Sequence, residues 1–70
     1  MKQDILLYLF SEHSASAESI ARDLGQPRGE VQRTLIQMDD AGEVLMRNGI
    51  YRLSEVSVSR MRKRFDDFAM

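Results

Sequence analysis

The stretch that decides the fold is residues 16–53, SAESIARDLGQPRGEVQRTLIQMDDAGEVLMRNGIYRL. Its first half predicts two short helices in succession. Ser16 is placed to cap the first helix, and Gly25 is placed to end it in a left-handed conformation. Pro27 stands where the second helix can begin, because the first turn of a helix leaves that N–H without a partner anyway.

The apolar spacing agrees with these helix boundaries. Residues three and four positions apart fall on one stripe of a helix, which is the pattern of an amphipathic helix. The second helix is expected to end near Ala41, with Gly42 after it. Two helices joined by a tight, glycine-containing turn predict a helix-turn-helix. The residues predicted to face the core are Ala17, Ile20, Ala21 and Leu24 in the first helix and Val31, Leu35 and Met38 in the second.

The second half of the stretch predicts a β-hairpin. Asn48-Gly49 is the strongest short-range signal for a two-residue type I′ turn, and it lies between two strand-like segments, residues 43–47 and 50–54. The turn pairs the strands so that side chains alternate between two faces. The face predicted to pack on the helices carries Val44, Met46, Tyr51 and Leu53. The opposite face carries Leu45, Arg47, Ile50 and Arg52.

Two further helices are predicted outside this stretch. Residues 2–12 carry the apolar stripe Ile5, Leu6, Leu9 and Phe10. The serine-rich residues 11–16 are predicted to form a turn, because short hydroxyl side chains compete for backbone hydrogen bonds. Residues 55–70 are predicted to form an amphipathic C-terminal helix, with Ser57 or Ser59 as its cap. We therefore divide the chain into a domain of residues 1–54 and a C-terminal element of residues 55–70.

The C-terminal helix has several possible roles. Its apolar stripe is Val58, Met61, Phe65 and Phe68, at spacings of three, four and three residues. We favour pairing of this stripe with a second copy of the chain, which makes a homodimer. The stripe can instead pack back onto the helix of residues 2–12 in its own chain, or the C-terminal segment can be mobile. The nearby basic residues Arg60, Arg62, Lys63 and Arg64 can also contact phosphates.

Composition narrows the class of protein. The chain has 70 residues, 43% of them hydrophobic and 30% charged, which predicts one small globular domain. It has no cysteine, and no apolar run reaches the roughly 20 residues of a membrane span, so we expect a cytoplasmic protein. His13 is the single histidine, and no glycine-rich phosphate loop or metal-ligand cluster is present. We expect neither an enzyme nor a metal or other cofactor.

The order of three helices followed by a hairpin carries a family resemblance. Residues 5–53, through SAESIARDLGQPRGEVQRTLIQMDDAGEV and the hairpin LMRNGIYRL, resemble the winged helix-turn-helix superfamily of small bacterial transcription regulators, most of all the fimbrial-operon PapI/FaeA group. The spacing is also similar to that of Z-DNA-binding domains. This chain departs from them at Ile36 and at Asn48–Tyr51, so left-handed DNA is not predicted. The expected fold is mainly α with a small β-hairpin (α+β): a winged helix-turn-helix with three helices, a two-stranded wing and a C-terminal helix.

The resemblance implies a sequence-specific binder of double-stranded DNA. The helix that begins near Pro27, the third in chain order, would enter the major groove, where arginine pairs with guanine and glutamine with adenine. The hairpin would contact the backbone or the minor groove. Gly29 would allow close approach of the helix backbone. Asp39 and Asp40 are expected to point away from the groove, and Glu30 to pair with Arg28 or Arg33 or to accept from a cytosine. The candidate DNA-binding residues are Arg28, Gly29, Gln32, Arg33, Ile36, Gln37, Arg47, Asn48 and Arg52.

Net charge gives weight to a second hypothesis. The formal charge is −1, whereas nucleic-acid binders often carry an overall basic excess. The basic residues are concentrated locally, since residues 53–64 contain four of them and only Glu55 as an acid. A near-neutral chain with apolar residues at Ile36, Leu45 and Ile50 is also consistent with a winged-helix module that binds a protein partner. Polar residues on the outer side of the third helix are, in the simplest case, a solvated surface.

Overall fold

The predicted helices and hairpin are all present in the structure, a computed structural model that describes the backbone of residues 1–69 and the side chains of residues 1–64. The result is a small α+β domain that is mostly helical. Its backbone order differs from the expectation by one additional strand. In chain order the elements are α1 (Lys2–Glu12), β1 (Ser14–Ser16), α2 (Ala17–Leu24), α3 (Arg28–Asp40), β2 (Val44–Arg47), β3 (Ile50–Leu53) and α4 (Glu55–Ala69).

The hairpin has the predicted register. Val44 pairs with Leu53 and Arg47 with Ile50, in an antiparallel ladder. At the turn Asn48 has a φ of 53° and Gly49 a φ of 79°, as a type I′ turn requires of both central residues. The local signal in Asn48-Gly49 was therefore sufficient to fix which residues face each other.

The prediction of a turn over residues 11–16 was wrong at both ends, because Ser11 and Glu12 belong to α1 and His13 alone separates α1 from the next element. Ser14–Ser16 form strand β1, which pairs antiparallel with β3, so the sheet has the order β1-β3-β2. Ala15 lies opposite Tyr51 in this ladder. Three residues are too few to show an alternating pattern, and their partner is far away in sequence. Hydrogen bonding to the free edge of β3 overrides the turn preference of serine.

The core lies between the helices and one face of the sheet. The stripe predicted for α3 is confirmed, because Val31, Leu35 and Met38 are all fully buried. In α2 the prediction holds for three of four residues, and Leu24 is only partly buried. The buried apolar residues are Ile5, Leu9, Ala17, Ile20, Ala21, Val31, Leu35, Met38, Val44, Tyr51 and Leu53.

Met46 is a correction to the predicted core. It shares the inner face of the hairpin with Tyr51 but is 51% exposed, whereas Tyr51 is buried. β3 is the central strand, so Tyr51 has a neighbour on each side. β2 is an edge strand, and Met46 lies near the turn with one flank open to solvent. Alternation predicts the face of a side chain but not how far the covering helices extend along the strand.

The turn between α2 and α3 forms as predicted. The Ser19 N–H donates to Ser16 Oγ at 3.2 Å, which caps α2. Gly25 follows the helix with a φ of 65°. The N–H of Gln26 donates to the carbonyl of Ala21 at 3.0 Å, so a carbonyl of the last turn of α2 is satisfied.

Replacing Gly25 by alanine is expected to lower the free energy of unfolding by about 1 kcal/mol, because a Cβ is strained at positive φ. No atom lies within 4 Å of the added Cβ, so the strain is purely that of the backbone. Urea denaturation followed by circular dichroism measures the change. Gly29→Ala is the matched control, since Gly29 lies inside α3 with equally open space. This change should leave the free energy of unfolding unchanged or raise it by up to ~1 kcal/mol. Equal losses in both variants would contradict this account of the turn.

Side-chain contacts attach α1 to its neighbours. The Tyr8 hydroxyl donates to Asp23 Oδ2 on α2 at 2.6 Å, and this hydrogen bond to a carboxylate is the main cause that raises the pKa of Tyr8 above 10.0. Lys2 Nζ lies 2.9 Å from Glu43 Oε2, just before β2. Both contacts connect the first helix to parts of the chain that are remote in sequence.

The cap of α4 is Ser54 and not Ser57 or Ser59. The Ser57 N–H donates to Ser54 Oγ at 3.4 Å. The Ser57 hydroxyl is instead buried and donates to the Glu43 carbonyl at 2.8 Å. α4 begins at Glu55, the first residue of the predicted helix, so only the predicted cap was wrong.

α4 packs against the domain over at least part of its length. Val58 and Met61 are partly buried against the core of their own chain, as the alternative to dimerisation requires. The side chains of Phe65 and Phe68 lie outside the described residues. The role of the stripe in a homodimer stays a prediction.

Candidate nucleic-acid interface

The outer side of α3 is the first part of the candidate interface. The helix buries one side against the core, and this leaves the predicted contact residues facing solvent. Arg33 lies opposite the buried stripe, because a turn of 3.6 residues places it about halfway around the helix from Val31 and Leu35. The exposed candidates are Arg28, Gly29, Gln32, Arg33, Ile36 and Gln37.

Acidic residues limit which part of α3 can meet an anion. Asp40 is exposed, and spacings of four, three and four residues place it on one line with Gly29, Arg33 and Ile36. It therefore shares the outer face rather than pointing away from it, and it lies about 10 Å further along the axis than Arg33. The basic and amide side chains are concentrated towards the N-terminal half of this face.

Glu30 does not pair with an arginine of its own helix. Within the part of the chain whose side chains are described, the ion pairs are Lys2–Glu43 and Arg22–Asp23. Glu30 is exposed and lies within 4.0 Å of neither Arg28 nor Arg33. Both guanidinium groups are thus available to a partner, and so is the Glu30 carboxylate.

The outer face of the hairpin is the second part of the interface. Arg47 and Ile50 are directly opposite each other, as are Leu45 and Arg52, and all four are exposed. A shallow hollow of about 470 Å³ lies along these strands, and Asn48 lines it at the turn. No carboxylate among residues 1–64 forms an ion pair with Arg47 or Arg52.

The interface also carries apolar side chains. Ile36 on α3 is 50% exposed, and Leu45 and Ile50 on the hairpin are exposed to a similar degree. Met46, which the sequence placed in the core, adds to this group and lines the same hollow. The position of Met46 beside the Asn48-Gly49 turn was the feature of the sequence that could have predicted its exposure.

Among the described residues, no group of three or more histidine, cysteine, aspartate or glutamate residues is arranged to hold a metal ion. Nor does any helix in that part of the chain have the length and apolar character needed to cross a membrane. Comparison with protein-family models, with curated proteins and with solved structures finds no match for the chain.

Proposed function

We propose that the protein is a sequence-specific transcription regulator that binds double-stranded DNA, with α3 in the major groove and the β2–β3 hairpin as a wing. The observation that carries the proposal is the solvent-exposed face of α3, whose arginines have no acidic partner in the described side chains. A helix that presents unpaired guanidinium and amide groups side by side has the donors and acceptors that base edges require.

The arrangement of the elements supports the finer classification as a winged helix-turn-helix. α2 and α3 are joined by a three-residue turn that contains Gly25, and a hairpin follows α3 in the chain. The additional strand β1 pairs with the hairpin strand β3, which anchors the hairpin to the helical part of the domain. Fold alone does not assign function, so the argument depends on the side chains.

In this proposal α3 reads bases with the side chains from Arg28 to Gln37, the part of the helix that precedes Asp40. Arg28 and Arg33 bind guanine O6 and N7, while Gln32 and Gln37 bind adenine. Gly29 has no side chain and lets the helix backbone approach closely. Asp40 lies at the far end of the same face, where its charge keeps the C-terminal end of α3 away from the phosphates.

The hairpin supplies contacts that do not depend on sequence. Arg47 and Arg52 bind phosphates or enter a narrow minor groove, and Asn48 at the turn contacts the backbone. We further propose that the regulator acts in the cytoplasm as a homodimer through α4, because two copies would match a two-fold symmetric DNA site.

Arg47→Ala should weaken binding to all duplexes by roughly the same factor, because a phosphate contact carries no base information. The slope of log affinity against log salt concentration should decrease in magnitude by about 1. Fluorescence anisotropy titrations with several duplexes at several salt concentrations measure both quantities. Arg22→Ala is the matched control for charge, since Arg22 lies on α2 with Asp23 3.6 Å away. If Arg47→Ala altered sequence preference, or matched the control, the wing assignment would be wrong.

A second candidate function is binding of a protein partner without DNA. The exposed apolar residues of the hairpin favour it, because aliphatic side chains gain little from contact with phosphates. The variant Leu45→Thr/Ile50→Thr separates the two functions. A partner recovered from nuclease-treated lysate by the unmodified chain, and lost with this variant but not with Arg33→Ala, would support protein binding. Failure of the unmodified chain to recover a partner after nuclease treatment, or recovery that neither variant affects, would count against it.

A further inference from the structure

α1 and α4 border a groove on a part of the surface not used by the proposed DNA interface. Its volume is about 640 Å³, within the range of pockets that bind small organic molecules. It is lined by Leu6 and Leu7 of α1 and by Met61 of α4, with charged residues around them. None of these belongs to the candidate DNA-binding set, whereas Met61 is also part of the α4 stripe assigned to the proposed homodimer.

The apolar residues that line the groove are accessible to a ligand. Leu6 and Met61 are partly buried against the core, and Leu7 is 49% exposed. These side chains form a hydrophobic surface where the two helices meet. Binding of an apolar molecule would remove this surface from water, and that removal favours binding.

Positively charged side chains also line the groove. Arg60 and Arg64 both line the groove, and they are one helical turn apart on the same face of α4. Like charges at this spacing repel each other, and neither arginine has an acidic partner among the described side chains. Lys2 is a third cation, and Glu43, the one carboxylate that lines the groove among residues 1–64, is already paired with it at 2.9 Å.

We propose that this groove binds a small amphipathic organic anion, a carboxylate with an apolar chain or ring. The carboxylate would lie between Arg60 and Arg64, whose repulsion it relieves, and the apolar part would cover Leu6, Leu7 and Met61. A ligand that is only charged or only apolar would contact just part of the lining. A simple phosphate would make no use of the leucines, and a neutral hydrocarbon would make no use of the arginines. The inference is independent of DNA binding.

Calorimetric titration of the full chain with decanoate, and separately with decanol, tests the proposal. The same apolar chain is present in both probes, so the difference isolates the carboxylate. We expect decanoate to bind about tenfold more tightly than decanol, since two exposed ion pairs are gained. Equal affinity for the two probes, or no binding of decanoate below its micellar concentration, would overturn the proposal.

Two charge variants locate the site. Arg60→Gln/Arg64→Gln removes two cations that line the groove, and Arg62→Gln/Lys63→Gln removes two from the same helix that do not line it. The first should weaken decanoate binding about tenfold and leave decanol binding unchanged. The second should change neither. Similar losses in both variants would show nonspecific attraction to α4 and would contradict the assignment.

A variant of the apolar lining provides a second test. Leu7→Ser should weaken binding of both probes, because it removes hydrophobic contact without changing charge. Leu7 is half exposed, so the fold should tolerate this change, and circular dichroism checks that it does. Unchanged binding of both probes by a folded Leu7→Ser variant would place the apolar chain elsewhere.

Discussion

Arg33→Ala is expected to weaken binding to the preferred DNA duplex by about 5- to 150-fold, which corresponds to roughly 1–3 kcal/mol for one bidentate contact to guanine. Arg33 is exposed on the side of α3 opposite the core, so its truncation leaves the packing unchanged. The loss should be confined to duplexes with guanine at one position. On duplexes altered at that position, the variant and the unmodified chain should bind almost equally.

The measurement is a set of anisotropy titrations on a duplex selected from a random pool and on its single-base-pair variants. Arg22→Ala provides the control for loss of one positive charge from a neighbouring helix. A uniform loss across all duplexes would make Arg33 a phosphate contact. An unchanged affinity would mean that Arg33 does not contact DNA and would contradict the placement of α3 in the major groove.

Leu35→Ala is expected to cost about 2–5 kcal/mol of unfolding free energy. Leu35 is fully buried in the middle of α3, where the shortened side chain leaves a cavity in the core. A domain of 70 residues has a total stability of roughly 3–10 kcal/mol, so this one change removes a large fraction of it. Urea denaturation followed by circular dichroism should show an early transition or an unfolded chain at room temperature.

Ile36→Ala is the neighbouring control for this prediction. Ile36 is 50% exposed, and alanine is the better helix former, so the stability should change by less than about 0.5 kcal/mol. The two variants remove aliphatic groups from adjacent positions of one helix. Comparable destabilisation by both, or a loss under about 1 kcal/mol for Leu35→Ala, would mean that the inner and outer faces of α3 are wrongly assigned.

The parts of the fold that the sequence predicts well are those set by local chemistry. Gly25 and Pro27 mark the turn between α2 and α3 because backbone conformation restricts which residues fit there. Asn48-Gly49 sets the hairpin register for the same reason. The α3 face follows from helical periodicity, so the exposure of its candidate contact residues was also predictable.

The errors concern contacts between remote parts of the chain. Strand β1 forms only because β3 offers a free edge, and nothing in Ser14–Ser16 encodes that partner. Met46 is exposed because the covering helices do not extend over it, and this depends on tertiary packing. The groove between α1 and α4 escaped prediction for the same reason, since Leu7 and Arg60 become neighbours only after folding.

The most direct test of the proposed function is titration of a labelled DNA duplex with the unmodified chain between ~50 and ~200 mM salt. If Arg47, Arg52 and the arginines of α3 contact DNA, binding should be measurable at the lowest salt. The slope of log affinity against log salt concentration should be about −2 for one chain and about −4 for a homodimer, because Arg47 and Arg52 each contact a phosphate and each such contact contributes roughly −0.9. No binding to any duplex at low salt, or an affinity independent of salt, would contradict DNA binding by this face.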